Sequence, residues 1–183
     1  FYFALTLAYS LVLKHEAIVD VLCVALGFVL RVVAGCLAIP VFISPWIVLC
    51  TFNLALFIAL CKRRAELSDL GEVSAETRRV LMEYSTPLLD MLIAVAAGLT
   101  IVSYSLYTFT ASHAHALGAA LGQSPLMMVT IPFVVYGIFR YLLLAVSSAV
   151  GGEPEQMLRD RRLMLNVVLW IAVVVALTLL EKL

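Results

Sequence analysis

Five long apolar runs constrain this chain more than any other feature. Each run is about 20 residues long, and they cover residues 17–39, 44–61, 86–109, 126–146 and 163–180. An α-helix needs about 20 mostly apolar residues to cross the hydrocarbon core of a bilayer. The runs do not alternate apolar and polar residues, which argues against a β-barrel. The sequence therefore predicts an all-α integral membrane protein with five full spans and one partial span over residues 1–13.

The composition excludes a soluble domain. Hydrophobic residues make up 64% of the chain and charged residues 13%, whereas soluble domains contain about 45–50% and about 25%. The net charge is zero and says nothing about partners, and we expect no nucleic-acid partner. The four cysteines lie in or at the ends of apolar runs without a C-x-x-C pair, so we expect no disulfide and no metal cluster. The chain opens within an apolar run and without Met, and we expect it to be part of a longer protein.

The charged residues fall on alternate loops. Both signs are abundant in residues 62–85 and 147–162, whereas the 110–125 loop carries only two histidines. The positive-inside rule places loops that are rich in Lys and Arg in the cytoplasm. We therefore predict a multi-pass protein of the plasma membrane, with both charged loops cytoplasmic and the 110–125 loop external.

A few charged residues lie inside the apolar runs. Asp20, Gly27 and Arg31 share one face of a helix at 3.6 residues per turn, and Asp90 and Arg140 lie toward the cytoplasmic ends of theirs. Ionisable groups inside a membrane face the bundle interior and mark functional sites. They indicate a polar pocket that opens to the cytoplasm, with Arg31 paired to a buried acid or carbonyl. The alternative is structural pairing, for instance of Asp20 or Asp90 with Arg140.

Basic residues cluster at two cytoplasmic helix ends. Lys14 and His15 lie at the first, and Lys62, Arg63 and Arg64 at the second. Lysine offers phosphate a point charge and arginine a planar fork of donors. Adjacent helical positions point about 100° apart, so we expect one of the two arginines to be merely solvated.

Two loop segments lie near these basic residues. The string "VSAETRRVLMEYS" at 73–85 predicts a short amphipathic helix, with Val80 and Leu81 facing the membrane and Tyr84 near the site. In "GGEPEQMLRDRRL" at 151–163, two glycines permit a sharp turn. Its acidic residues either tether the loop to Arg159 or to the 62–64 cluster, or contact a substrate.

Several strings carry a family resemblance. They are "YSLVLKH" at 9–15, Asp20, "GFVLRVVAG" at 27–35, "KRRAEL" at 62–67, "IPF" at 131–133, "RY" at 140–141 and "GGEPEQMLRDRRL" at 151–163. Together they resemble the C-terminal two-thirds of polyprenyl-phosphate phosphoribosyltransferases, which belong to the UbiA-type superfamily of intramembrane prenyltransferases. The resemblance implies that residues 1–183 form a single transmembrane helical domain, the later part of a nine-helix bundle whose first helices are absent here.

The resemblance also implies a reaction. The enzyme would transfer 5-phosphoribose from phosphoribosyl diphosphate to a polyprenyl phosphate, with release of pyrophosphate, in the synthesis of an arabinose donor for the cell envelope and cell wall. Mg2+ would be the cofactor, with its main ligands on the absent helices, so the 183-residue chain alone should not be a complete enzyme. Oligomeric state stays open.

The implied site residues fall into three groups. The candidate catalytic residues are Asp20 and Glu66; the candidate phosphate-binding residues are Lys14, His15, Lys62, Arg63 and Arg140; the loop residues over the site are Tyr84, Glu153, Glu155, Arg159 and Asp160. We assign no metal ligand within this chain.

Two alternatives remain. One is a UbiA-type aromatic prenyltransferase, which the lack of a D-x-x-x-D string after the second full span disfavours. The other is a membrane transporter or structural subunit, which the absence of an internal repeat disfavours.

Overall fold

The computed structural model describes residues 6, 7, 9, 13, 16–39, 43–68, 80–116, 125–147 and 159–180. The described part is built from five long helices: α1 (Val19–Ala38), α2 (Pro45–Ser68), α3 (Thr86–Ala116), α4 (Ile131–Ser147) and α5 (Arg161–Leu180), with a 3-10 segment, Pro125–Thr130, before α4. All five predicted spans are confirmed as helices that are long and apolar enough to cross a membrane. The predicted partial span lies mostly outside the described residues.

Proline and serine residues set where several helices begin. Pro45 opens α2 at a position where its missing N–H costs nothing. Ser85 caps α3 by accepting a hydrogen bond from the Leu88 N–H at 3.3 Å. Pro132 cannot donate to a carbonyl four residues earlier, which accounts for the 3-10 segment ahead of the regular helix α4.

Helix α2 extends past its predicted end at residue 61. The next residues, "KRRAELS", continue the helix to Ser68, because Lys, Arg, Ala, Glu and Leu all have high helix propensity. The extension fixes Lys62, Arg63, Arg64 and Glu66 on one rigid element. It also directs the adjacent side chains of Arg63 and Arg64 to different faces of the helix.

Each helix packs on the next along the chain, with α2 between α1 and α3 and with α4 against α5. The core includes Val21, Phe57, Leu89 and Ile93 and lies where α1, α2 and α3 meet. The outer faces carry large exposed apolar side chains, most clearly along α5. Such faces suit lipid contact in a multi-pass membrane protein.

The prediction that Val80 and Leu81 face the membrane is wrong. Both side chains are buried among the helices. The N–H groups of Glu83 and Tyr84 bond back to the carbonyls of Val80 and Leu81, which forms a tight turn. This turn directs Val80 and Leu81 inward and leaves Met82 exposed. Residues 73–79 of the predicted amphipathic helix lie outside the described residues.

Candidate functional site

The predicted site residues that the structure describes lie at one end of the bundle. This end comprises the start of α1, the end of α2, the turn before α3, the end of α4 and the start of α5. Successive spans run in opposite directions, so these chain positions meet at the same side of the membrane. Lys14, His15, Glu153 and Glu155 lie outside the described residues, and their predicted roles stay predictions.

Asp20 is the buried centre of this end. Its residue is only 1% exposed, and its Oδ2 atom lies 2.7 Å from Nε of Arg63 on α2. Its Oδ1 atom accepts hydrogen bonds from the Tyr84 hydroxyl at 3.1 Å and from the Val21 N–H at 2.7 Å. Both carboxylate oxygens are therefore occupied by protein donors. In this arrangement Asp20 orients a basic residue and does not face open space.

Glu66 balances two cations. One of its oxygens bonds to Nη1 of Arg63, and the other lies 3.8 Å from Nζ of Lys62. The Lys62 side chain is 54% exposed, whereas that of Arg63 is 17% exposed. We define Asp20, Lys62, Arg63, Glu66 and Tyr84 as the α1–α2 charge cluster.

The prediction that one of Arg63 and Arg64 is merely solvated is wrong. Arg63 points toward α1, whereas Arg64 pairs through Nε with Asp90 on α3 and donates from Nη1 to the carbonyl of Ala145 on α4 at 3.3 Å. The reason is the position of α2 between α1 and α3. Two adjacent side chains that diverge by about 100° each find a neighbouring helix.

Tyr84 connects the turn before α3 to the start of α1. Its hydroxyl donates to Asp20 and accepts a hydrogen bond from the Ile18 N–H. Burial, the largest effect, and the nearby Asp20 carboxylate together raise the pKa of Tyr84 to about 12, against the opposing hydrogen bond from the Ile18 N–H. The hydroxyl thus stays protonated at neutral pH and remains a donor to Asp20.

Ile18 has an unusual backbone. Its φ is 68°, a positive value that β-branched residues rarely adopt. Ile18 precedes α1 without a capping side chain, so the Tyr84 hydroxyl is the described partner of its N–H. Sequence reasoning missed this contact, since no local pattern predicts an isoleucine with a positive φ.

Arg140 and Asp160 form a second charge pair. Nε and Nη2 of Arg140 reach the two oxygens of Asp160 at 3.1 and 2.7 Å. Asp160 also accepts the Leu163 N–H at 2.8 Å and thereby caps α5. The hydrogen bond from Arg140, followed by that from Leu163, lowers the pKa of Asp160 to about 2. The alternative of structural pairing named the wrong partner for Arg140, which pairs with Asp160 and not with Asp20 or Asp90. The tether from Asp160 to Arg159 or to the 62–64 cluster is also wrong, because Asp160 bonds to Arg140.

Arg31 is more exposed than its predicted place on a cavity face implies, and its pairing with an acid or a carbonyl stays a prediction. Its side chain is exposed, and its guanidinium lies 5.0 Å from the centre of the Phe28 ring. Helix α1 packs chiefly on α2, so the deeper part of the Asp20 face is uncovered within the described residues. Asp20 and Arg31 thus lie on the same helix, but Asp20 is buried and Arg31 is exposed.

Sequence reasoning also missed a polar group far from the charged end. The Tyr104 hydroxyl lies 2.7 Å from the Thr130 hydroxyl and accepts the Trp170 ring N–H at 3.0 Å. These contacts join α3, the 3-10 segment and α5. Their only sequence signal is an aromatic or hydroxyl residue within an apolar run.

An apolar groove lies between α1 and α2. Its volume is about 370 Å³, and it is lined by Leu26, Val29, Pro45, Trp46, Val48, Leu49 and Phe52. At 1.5 Å per residue, Phe52 lies about 16 Å from Arg63 along α2. The groove is thus deeper in the membrane than the charge cluster and on the same two helices.

Comparison with known proteins identifies close matches along almost the whole chain. The decaprenyl-phosphate phosphoribosyltransferase of Mycolicibacterium smegmatis is 33% identical over 176 residues, which cover 94% of this chain and 55% of that protein. Proteins of the same name from Mycobacterium tuberculosis and Corynebacterium glutamicum are 32% and 31% identical, over 94% and 95% of this chain and 55% and 51% of their own lengths. No protein-family model matches the chain.

The predicted resemblance to polyprenyl-phosphate phosphoribosyltransferases is therefore confirmed. The chain spans about half the length of the curated relatives that it matches.

Proposed function

We propose that this chain forms part of a membrane transferase that moves the 5-phosphoribosyl group of phosphoribosyl diphosphate to a polyprenyl phosphate and releases pyrophosphate. The observation that carries the proposal is the similarity, over 94% of the chain, to relatives named decaprenyl-phosphate phosphoribosyltransferase. We propose that the reaction takes place at the plasma membrane with the charged end in the cytoplasm, where phosphoribosyl diphosphate is a soluble substrate.

The shape of the described bundle suits a lipid phosphate as acceptor. Such a molecule keeps its phosphate at the membrane surface and its hydrocarbon chain in the bilayer. The α1–α2 charge cluster supplies Lys62 and Arg63 for the phosphate. The apolar groove about 16 Å deeper on the same helices suits the polyprenyl chain.

The chemistry requires cations both at the acceptor phosphate and at the leaving pyrophosphate. An oxygen of the acceptor phosphate attacks the anomeric carbon of the ribose, and the bond from that carbon to pyrophosphate breaks. Negative charge grows on the leaving group, and fixed donors stabilise it without reorganisation. Arg63 uses Nε and Nη1 for Asp20 and Glu66, and its remaining donors can bind a phosphate oxygen. Arg140 likewise has donors beyond the two that hold Asp160.

Mg2+ would neutralise the leaving pyrophosphate. Among the described residues, no group of three or more His, Cys, Asp or Glu side chains could hold a metal ion. Asp20 and Glu66 are both engaged by Arg63. The described residues do not fit a Mg2+ site on their own, and we propose that the ligands of this ion lie elsewhere in the protein.

A radiolabel assay tests the proposed function. Membranes that contain the full protein carrying this chain are incubated with labelled phosphoribosyl diphosphate, polyprenyl phosphate and Mg2+. We expect label in the lipid extract that depends on the added polyprenyl phosphate. Lack of labelled lipid, under conditions in which the Mycolicibacterium smegmatis relative forms it, would contradict the proposal. Transfer from a prenyl diphosphate to an aromatic acceptor would instead support an aromatic prenyltransferase.

A further inference from the structure

Tyr84 lies outside the spans, yet it contacts the most buried charged side chain of the cluster. Its hydroxyl bonds to Asp20, and Asp20 pairs with Arg63. The Tyr84 hydroxyl donates to Asp20, and the hydrogen-bonded route from Tyr84 to Arg63 therefore runs through Asp20. A chain of donors and acceptors thus runs from the backbone of Ile18 through Tyr84 and Asp20 to Arg63.

We propose that Tyr84 is a positioning residue that fixes Asp20 and, through it, directs the Arg63 guanidinium toward a phosphate-bearing substrate. This inference rests on the proposed function, because it takes the charged end as the phosphate site. Tyr84 itself does not touch the substrate in this proposal.

The geometry of Asp20 explains why the hydroxyl matters. Arg63 Nε occupies Oδ2, and Oδ1 accepts from the Val21 N–H of the same helix and from the Tyr84 hydroxyl. The Val21 N–H moves with Asp20, so the Tyr84 hydroxyl is the donor on Oδ1 that ties the carboxylate to the turn before α3. The fixed carboxylate then sets the plane of the guanidinium, whose Nη1 is held by Glu66. A planar guanidinium binds phosphate well only when its fork faces the anion.

The backbone at Ile18 supports a role beyond packing. Its backbone conformation, with a positive φ of 68°, is costly for a β-branched residue. The hydrogen bond from its N–H to Tyr84 helps to hold this conformation, which places Asp20 in the first turn of α1. Strained residues held by their surroundings are frequent at functional sites.

The test removes one hydroxyl at each end of the bundle. Tyr84→Phe deletes the contact with Asp20 and retains the ring, and Tyr104→Phe is the matched control because its hydroxyl also has two partners but lies away from the charged end. The full protein is purified in detergent. The measurements are the affinity for inorganic pyrophosphate, the KM for phosphoribosyl diphosphate, kcat and the melting temperature.

We expect Tyr84→Phe to weaken pyrophosphate binding about fivefold to tenfold, as the loss of one net hydrogen bond implies. The KM for phosphoribosyl diphosphate should rise by a similar factor with kcat little changed. Tyr104→Phe should lower the melting temperature without changing either binding value.

Other results would overturn the inference. The inference fails if Tyr84→Phe binds pyrophosphate as tightly as the parent does. It also fails if Tyr84→Phe and Tyr104→Phe lose the same affinity, or if the parent does not bind pyrophosphate. A further result would separate the two proposals. If the parent binds pyrophosphate and Tyr84→Phe binds it more weakly, but the parent transfers no phosphoribose, Tyr84 remains a positioning residue and the proposed function is rejected.

Discussion

Substitution of Asp20 by Asn should destabilise the bundle more than an equivalent change elsewhere at the charged end. The carboxylate is 1% exposed and pairs with an Arg63 side chain that is 17% exposed. Removing one partner of a buried pair costs about 3–5 kcal/mol, because the other charge is left without compensation. Arg63 keeps Glu66 as a partner, which reduces the expected loss to about 2–3 kcal/mol of unfolding free energy.

Asp90→Asn is the matched control. Asp90 also pairs with an arginine on α2, but its side chain is 46% exposed. Exposed pairs contribute about 0–1 kcal/mol, and Arg64 retains the carbonyl of Ala145 as an acceptor. The two substitutions change the same atoms, so the difference between them measures the effect of burial.

Thermal unfolding in detergent is the assay. Fluorescence of Trp46 and Trp170 reports on α2 and α5. For a chain of this size, 1 kcal/mol corresponds to about 2–4 °C in melting temperature. We expect Asp20→Asn to melt about 4–12 °C below the parent and Asp90→Asn within about 4 °C of it. If the two variants melt at the same temperature, the argument from the burial of Asp20 is refuted.

Three further outcomes follow from particular contacts. Asp160→Asn should lower the melting temperature at neutral pH. Arg140 lowers the pKa of Asp160 from 3.8 to about 2, and Asp160 stabilises the protein only when it is ionised, so the difference in melting temperature from the parent should shrink as pH falls from about 4 to about 2. A difference that persists at pH 2 would contradict this. Gly98→Ala should stabilise the helix by up to about 1 kcal/mol, because nothing lies within 4 Å of the added carbon. Gly137→Ala should gain less stability in the same melting assay, because the added carbon would lie 3.1 Å from a side-chain amide. A cysteine at Ser112, in a background without the native cysteines, should be labelled by a membrane-impermeant reagent from outside; labelling only from inside would reverse the predicted orientation.

The positions of the spans were predictable because each apolar run must be long enough to cross a bilayer. The ends of the helices were less predictable, since they depend on what surrounds them. The charged residues 62–66 gave no apolar signal, yet they continue α2. Val80 and Leu81 were assigned to the membrane from local periodicity, but a turn at residues 80–84 directs them into the core.

The members of the site were also easier to predict than their partners. A charged residue in an apolar run indicates a polar environment, and Asp20 and Arg140 both have one. Which residue supplies that environment depends on packing between helices that are distant in the sequence. Arg63 and Tyr84 are 43 and 64 positions from Asp20, and no local pattern encodes the contacts that join them.

The balance of charge at this end bears on how a phosphate could bind there. In the α1–α2 charge cluster, Lys62 and Arg63 are matched by Asp20 and Glu66, so the cluster has no net positive charge at neutral pH. Attraction of a phosphate by these four residues alone is therefore weak at long range, and their contribution is the orientation of donors at short range. The net positive charge that the proposed reaction needs must come from other groups, as the predictions of phosphate-binding Lys14 and His15 and of Mg2+ imply. We therefore expect the α1–α2 charge cluster to orient donors toward the phosphate and groups outside this cluster to attract the anion.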